Sequence, residues 1–535
     1  TDGPFDDIEP TYLPDGGIVF CSSRCRRYVG CNPSPVAILY RCEADGKQIR
    51  PLSAGAFTEN TPWMLPDGRV LYTRWEYVDK GVIAVQALWA MRPDGSGTAE
   101  IYGDDVDWPP VLIHGRAIPG MDHLFVATAT MHHPFAVGPI LRIDARRDVR
   151  TLEPVWSLTP DTDLCVEGKH GEPHAEHYAH VRGDRLVKDD CGPLFAEPYP
   201  LVDPQTGAGA GKYFLVTCNP DRPWHDASAY GLWLIDAFGN RVPIYHDPQI
   251  SSWQPVPLRP RPRPPVIPPI SSMARTERAV GHSVGLASLD PRDENHESRE
   301  GGKSANDATV VLSDVYAGLE GVPRGTIKYL RILEQVPRPW SARRFWPNDS
   351  AHGQHAVVGL NSHIHVKIHH GIVPVREDGS ACFTAPAGKN LFFQALDAEF
   401  LEVQRMRSFV NFQPGEVRSC VGCHHYRPKA PAGGSPLALR SPPDRPRAQP
   451  GETVPRPIHY PTDVQPILDR HCTSCHNDKR ADGGLDLSGT MTEYFSRSYE
   501  NLMTRQLVAC VQEFYGPQPD AQVTNTEPLP PRALG

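Results

Sequence analysis

A self-similar unit of about 50 residues dominates the first half of the chain and limits what it can fold into. Its first element is a proline, two residues, a leucine, a tight turn and an apolar strand. It reads Pro10-Thr11-Tyr12-Leu13, then Pro14-Asp15-Gly16, then the strand 18–21. It returns as Pro62-Trp63-Met64-Leu65, Pro66-Asp67-Gly68 and the strand 70–73, and more loosely as Ile118-Pro119-Gly120 with 124–128. The turn prolines stand at 14, 66 and 119, steps of 52 and 53. A second element closes each unit, an apolar strand with an acidic or glycine turn. Its copies end in Asp45-Gly46, Asp94-Gly95, Asp144, and Asp236 with Gly239. Two hairpin turns per 50 residues describe a four-stranded propeller blade. One such sheet cannot bury both faces alone, so blades must stack. Four units are clear. A fifth start is expected at Pro255-Val256-Pro257-Leu258, and 310–316 could complete a blade. An open pair of β-sandwiches is the alternative.

The expected fold is mainly β: an N-terminal β-propeller of six- or seven-bladed type over 1–258, then a proline-rich connector and polar loop over 259–307. A β-rich middle domain with a first haem c follows over 308–427, read as a small antiparallel sandwich. Then come a proline-rich linker or wrapping arm over 428–457 and a small α-helical cytochrome c-like domain with a second haem over 458–535. Proline is 57 of 535 residues, about twice the ~5 % of average chains, which disfavours long helices. Within the propeller, 161–204 is a long insertion, and such insertions are commonly functional. Helices are expected at 463–470 and 496–513. A cytochrome c fold needs a closing helix, so we expect the chain to continue past Gly535.

The chemistry sits in two strings, Cys420-Val421-Gly422-Cys423-His424 and Cys472-Thr473-Ser474-Cys475-His476. Cys-x-x-Cys-His is the attachment signature of c-type haem. Two thiols three residues apart reach the two vinyl groups on one side of a porphyrin. The adjacent histidine then falls under the iron as an axial ligand. From 13 cysteines and 23 histidines in 535 residues, only about 0.01 such strings would arise by chance. The competing reading pools all four thiolates on a structural zinc ion. We assign Cys420, Cys423, Cys472 and Cys475 to two covalent haems c, with His424 and His476 as axial ligands. Additional zinc or calcium stays open. The other nine cysteines are odd in number, so at least one lacks an intrachain partner.

The second axial position decides between electron transfer and substrate binding. Candidate distal ligands are His363, His365, His425, His459 and His471, with His352, His355, His369 and His370 also near the first motif in sequence. His363 and His365 share a strand face by the period of two. His170, His174, His177 and His180 in the insertion have i, i+3 and i+4 spacings and could line a haem pocket if helical. A solvated loop is the bland alternative. His132-His133-Pro134 and Trp224-His225-Asp226 sit where propeller strands connect.

Further residues carry a family resemblance. The propeller leads through RPRPP to VPVREDGSACFTAPAGKNLFFQALD, then MRSFVNFQPGEVRSCVGCH and DVQPILDRHCTSCH. This order resembles the alpha subunit of hydrazine synthase and its broader relatives in planctomycete-type bacteria, most sharply from Val373 to His476. The resemblance implies a propeller, a middle haem that can be catalytic and a terminal haem that passes electrons. It also implies a tyrosine just after the first motif that binds iron while the motif histidine turns to zinc. Tyr426 is the nearby tyrosine here. Hydrazine synthesis itself is not transferred.

We therefore expect a dihaem c-type redox protein, with haem 1 as reaction centre for a small nitrogen species and haem 2 as relay. The alternative is a pure electron-transfer subunit with both irons six-coordinate and the propeller as a docking platform. A third reading is a surface-assembly protein with vestigial haems. Haem c is attached outside the cytoplasmic membrane, which implies a periplasmic or extracellular protein, although no leader opens the chain. Partners would be other redox subunits or electron-carrier cytochromes, with oligomerisation open. The net charge of −9 argues against nucleic acid, and no apolar run reaches the ~18 residues of a transmembrane span.

Overall fold

The computed structural model describes residues 3–29, 34–76, 85–106, 109–130, 136–162, 181–182, 185–186, 193–203, 206–222, 224, 226–271, 307–339, 367–423, 433–456, 458–492, 495–505 and 507. The repeats fold as four consecutive four-stranded antiparallel meanders. The first comprises Asp7–Tyr12, Ile18–Ser22, Ile38–Cys42 and Arg50–Pro51. The second comprises Glu59–Met64, Val70–Trp75, Gln86–Met91 and Ala99–Tyr102. The third is Val111–Ile118, Met121–Thr130, Ile140–Asp144 and Val155–Ser157, joined to the second by one parallel bridge, Val111 to Gln86. The fourth is Leu194–Leu201, Tyr213–Asn219, Gly231–Asp236 and Arg241–Tyr245.

The Pro-Asp-Gly turns work as the residue types dictate. Leu13 N–H bonds the Gly17 carbonyl at 2.8 Å and Gly16 N–H returns to Leu13 at 3.0 Å. Gly16 holds φ +98°, a region L side chains avoid. Leu65, Arg69 and Gly68 repeat the pattern. Each meander hides its faces against its neighbours. Leu13, Val19, Leu39 and Leu52 of the first pack with Val70, Tyr72, Trp89 and Met91 of the second. Leu71, Leu88 and Ile101 meet Leu112, Phe125 and Ile143 of the third. Ile118, Val126 and Ile140 meet Phe195, Phe214 and Val216 of the fourth.

The first strand of every meander carries one residue in the left-handed region: Glu9 (φ 54°), Thr61 (51°), His114 (57°) and Glu197 (54°). The ladder register slips at each of these places. Such a conformation costs a non-glycine residue about 1–3 kcal/mol. Hydrogen bonds across the stack offset it. Thr61 N–H donates to Glu9 Oε2 at 2.6 Å, His114 N–H to Thr61 Oγ1 at 3.4 Å, and Glu197 N–H to Thr128 Oγ1 at 3.1 Å. Gln254 repeats the conformation (φ 56°), and its N–H reaches Glu197 Oε2. The fifth unit goes no further: 255–258 forms no strand and Leu258 is exposed. The chain turns away into the connector, which lies across the turns of the first two meanders. Arg263 Nε donates to the Pro14 carbonyl at 2.7 Å, and Ile270 N–H bonds Asp94 Oδ2 at 2.7 Å. A Cβ on Gly68 would stand 2.4 Å from the Pro265 carbonyl. The strand expected to complete a blade, at 310–316, belongs instead to the middle region.

There, two sheets enclose one core. A three-stranded sheet orders Ala381–Pro386, Asp307–Leu312 and Val417–Cys420, and a four-stranded sheet orders Lys367–Pro374, Tyr329–Gln335, Leu391–Leu396 and Glu402–Arg405. Val310, Ile332, Val373, Phe383, Leu391 and Phe412 fill the space between. The sandwich is not wholly antiparallel, because Asp307–Leu312 and Val417–Cys420 run parallel, Leu312 opposite Cys420. Parallel neighbours need a long crossover, and the intervening strands are that crossover. Residues 433–456 wrap the sandwich: Arg376 pairs with Asp444 at 2.7 Å, and Arg447 N–H bonds the Ile372 carbonyl at 3.0 Å. The tail carries two helices, Gln465–His471 and Arg497–Thr504, the second capped by Ser496.

The sandwich and the second meander share a fully buried ion pair, Arg74 with Glu76. The Arg74 guanidinium lies between the rings of Trp89 and Phe409, 3.3 and 3.9 Å from their centroids. It also bonds Ser408 Oγ at 3.1 Å and the Phe409 carbonyl at 3.0 Å. Arg74→Ala would strand the Glu76 carboxylate in the interior. We expect a loss of about 3–5 kcal/mol, read from urea unfolding, whereas a loss below about 1 kcal/mol would match an exposed pair.

His114 gives a pH prediction. Burial drives its pKa down to about 3, so the folded state keeps it neutral. The unfolded chain takes a proton below about 6.5. Stability should therefore fall as pH drops from about 6.5 toward 3, by up to ~1.4 kcal/mol per unit. Burial raises the neighbouring Glu197 carboxyl, which acts in the opposite sense. The difference between the wild type and His114→Gln, measured by unfolding at stepped pH, isolates the histidine.

Candidate functional site

The two Cys-x-x-Cys-His strings are presented in different ways. The first leaves the end of the strand Val417–Cys420. Two further backbone bonds extend its pairing, Ser313 N–H to the Cys420 carbonyl at 2.9 Å and Asp314 N–H to the Val421 carbonyl at 3.0 Å. Cys420 is half-buried and Cys423 exposed, both as free thiols. Between them, Gly422 packs so closely on the 314–317 turn that a Cβ there would clash with Ala317. Two residues before the motif, Arg418 Nη2 donates to the Thr98 carbonyl of the second meander. His424, His425 and Tyr426 lie outside the described residues.

The second string continues the helix Gln465–His471. Cys472 N–H bonds the Leu468 carbonyl at 2.8 Å, Cys475 N–H the Cys472 carbonyl at 3.1 Å, and His476 N–H the same carbonyl at 3.0 Å. One helical turn thus carries Cys472, Cys475 and His476 at i, i+3 and i+4, the spacing that shares a face. Both thiols are free and half-buried. His476 Nδ1 is buried without a partner in the protein, and an imidazole with an unsatisfied buried nitrogen calls for an explanation. The chain pins the turn from below: Leu487 N–H bonds the His476 carbonyl at 2.9 Å, and Asn477 Nδ2 bonds the Thr473 carbonyl at 2.7 Å. The free thiol pairs and the imidazole of the second motif fit covalent haem. The four thiols are not brought together: among the described residues no three His, Cys, Asp or Glu side chains gather to hold an ion.

The histidines sort unevenly. His369 and His370, candidates by proximity in sequence, have their Nε2 atoms committed to carboxylates. His369 meets Glu452 of the wrapping arm at 3.2 Å, and His370 meets Glu334 at 2.8 Å. Lys389 holds the same Glu334 at 3.1 Å. These imidazoles fasten strands and arm. His459 is exposed, its Nδ1 3.1 Å from Thr462 Oγ1, at the start of the turn leading into the helix. His471 is exposed as the last residue of that helix, directly before Cys472. His170, His174, His177, His180, His363, His365, His352, His355, His132, His133 and His225 lie outside the described residues. Reading residue types missed the left-handed ring of Glu9, Thr61, His114 and Glu197. The available signal was its position before Pro10, Pro62 and Pro198 in three of the four repeats.

Comparison with known proteins now bears on this geometry. Residues 325–425 match the family of the hydrazine synthase alpha subunit middle domain. The fold superposes on hydrazine synthase from Kuenenia stuttgartiensis with a TM-score of 0.68, covering 94% of this chain and 73% of that one at 18% identity. The chain thus contains a region similar to the hydrazine synthase alpha subunit middle domain, within a fold similar to that of hydrazine synthase. The matched stretch runs from the second sheet of the sandwich through the first motif, so the likeness to hydrazine synthase includes both cysteines of that motif. A TolB structure from Agrobacterium tumefaciens matches at a TM-score of 0.26, with 11% identity over 44% of this chain and 64% of that one. That similarity is too low to weigh. No curated protein matches the sequence. Among the described residues no helix is long and apolar enough to cross a membrane.

Thiol reactivity tests the geometry directly. In polypeptide made without haem, iodoacetamide should label the exposed Cys423 well before the buried Cys218; both thiols are pushed up to about 12, so access and not ionisation sets the order. Peptide mass spectrometry reads the order, and equal rates would contradict the placement of Cys423 at the surface.

Proposed function

We propose that this chain is an exported dihaem c-type redox protein whose first haem is the reaction centre for a small nitrogen species and whose second relays electrons. The helical turn that aligns Cys472, Cys475 and the unpaired imidazole of His476 is the observation that carries the haem reading. The like-spaced Cys420 and Cys423 extend it to the middle domain. Bound haem c would supply an iron that changes oxidation state and, where a coordination position is open, takes a small ligand. The protein's own contribution is to hold the thiols, fix the axial imidazole and exclude competing ligands. Near the first motif in sequence, the Nε2 atoms of His369 and His370 are engaged by Glu452 and Glu334, which leaves those atoms unavailable to an iron. The four meanders, with the repeat restarting at Gln254, act as blades of a propeller that braces the middle domain through Arg74 and Arg418. Partner electron carriers would dock on this assembly outside the cytoplasm.

The pure electron-transfer reading keeps His459 and His471 as candidate second ligands at the second motif, both with exposed side chains. One set of spectra separates the two. Purified, exported protein should show two haems per chain by pyridine haemochrome, one high-spin ferric signal, and a CO-induced shift after reduction. Two low-spin signals without a CO response would remove the reaction centre and leave the relay. A colourless protein with the mass of the bare chain would overturn both.

A further inference from the structure

Resting on the haem reading of the first motif, we infer that Gly422 and the 314–317 turn form a seat that positions this motif for covalent haem attachment. A glycine inside Cys-x-x-Cys carries no haem chemistry of its own, so its place must come from the surroundings. The φ of Gly422 lies outside the left-handed region that would itself require glycine. Space is what requires it. An ideal Cβ at 422 would stand 2.4 Å from Ala317 Cβ, 2.5 Å from the Ala317 carbonyl oxygen and 2.9 Å from the Asp314 carbonyl oxygen. Two of the three obstacles are backbone atoms, which cannot swing away as a side-chain tip can.

The turn itself is fixed from several sides. Ser313 N–H and Asp314 N–H hold the carbonyls of Cys420 and Val421 at 2.9 and 3.0 Å. Ala317 N–H bonds the Asp314 carbonyl at 3.1 Å, Val315 N–H bonds the Gly379 carbonyl at 2.8 Å, and the Asp314 carboxylate pairs with Arg324. Val315 is fully buried in the sandwich core. The motif's backbone is thus clamped to a turn with no freedom to retreat, and both thiols leave it in a set relation. The second motif obtains the same preorganisation from a helical turn. The first has no helix and uses close backbone contact in its place. Thioether formation at two vinyl groups needs both sulfurs placed at once. A side chain at 422 would lift the Val421–Cys423 segment off the turn and spoil that placement while leaving the residue types intact.

The test compares haem loading motif by motif in full-length exported protein by mass spectrometry of proteolytic haem peptides. Wild type should carry haem on both peptides. Gly422→Ala should lose at least about tenfold of the haem on the 420–423 peptide and keep full loading on the 472–475 peptide, whose retention shows that the chain folded and was exported. Unchanged loading of the first motif in Gly422→Ala would overturn the seat, as would an equal loss on both peptides, the mark of a general folding defect. Absence of haem from both wild-type peptides would instead sink the haem reading itself.

Discussion

A four-stranded sheet has two faces, and burying both against other sheets is the constraint on which this molecule depends. A meander buries only as much apolar surface as its neighbours cover, at roughly 25 cal/mol for each Å² withdrawn from water. The first three interfaces are filled by Leu, Ile, Val, Phe and aromatic side chains contributed alternately from adjoining units. Stacking side by side forces the first strands together, and their backbones cannot all keep ideal β geometry there. One residue per strand turns left-handed and hands its N–H to the preceding unit or to a threonine beside it. The strain and the hydrogen bond are two sides of one device, which registers each meander on the last.

The middle sandwich hangs on this stack by polar contacts placed in dry surroundings. Arg74, stacked between Trp89 and Phe409 and paired with Glu76, costs desolvation that its partners offset only in part, since its hydrogen bonds all leave from Nη2 while Nε and Nη1 are buried without an acceptor. Those partners come from two distant parts of the chain, so the contact specifies how the domains meet more than it adds stability. Arg418 makes a second link two residues before Cys420. The first motif is therefore held between the core of its own sandwich and the rim of the second meander. The second motif is locally self-sufficient: its helix, its turn and the Ser496 cap of the helix that follows arise within some forty residues.

Much of this was legible in the sequence, for physical reasons. The Pro-Asp-Gly turns and the apolar runs between them repeat because each must solve the same local problem, so period and strand count could be read directly. Cys-x-x-Cys-His was legible because each string lies within five consecutive residues and needs no tertiary contact to be read. The histidines were not legible. His369 and His370 looked like ligands, yet their partners Glu452 and Glu334 come from a distant arm and a neighbouring strand. The prolines of 428–457 left a linker and a wrapping arm equally open, and the parallel pairing of Asp307–Leu312 with Val417–Cys420 was not legible at all, since residues more than a hundred positions apart carry no local mark of adjacency. The abandoned fifth unit shows the limit of repetition: Gln254 keeps the backbone signature, and then 255–258 leaves without a strand.

Sequence alone determined the repeating β units, the turn chemistry and the spacing of the four motif cysteines, because each depends on residues close together along the chain. Tertiary structure alone decided which imidazoles are already spoken for, why a glycine must stand at 422, and how Arg74 joins two domains. Those answers depend on what lies across a gap of a few ångströms, and that distance is set by packing between segments far apart in the chain.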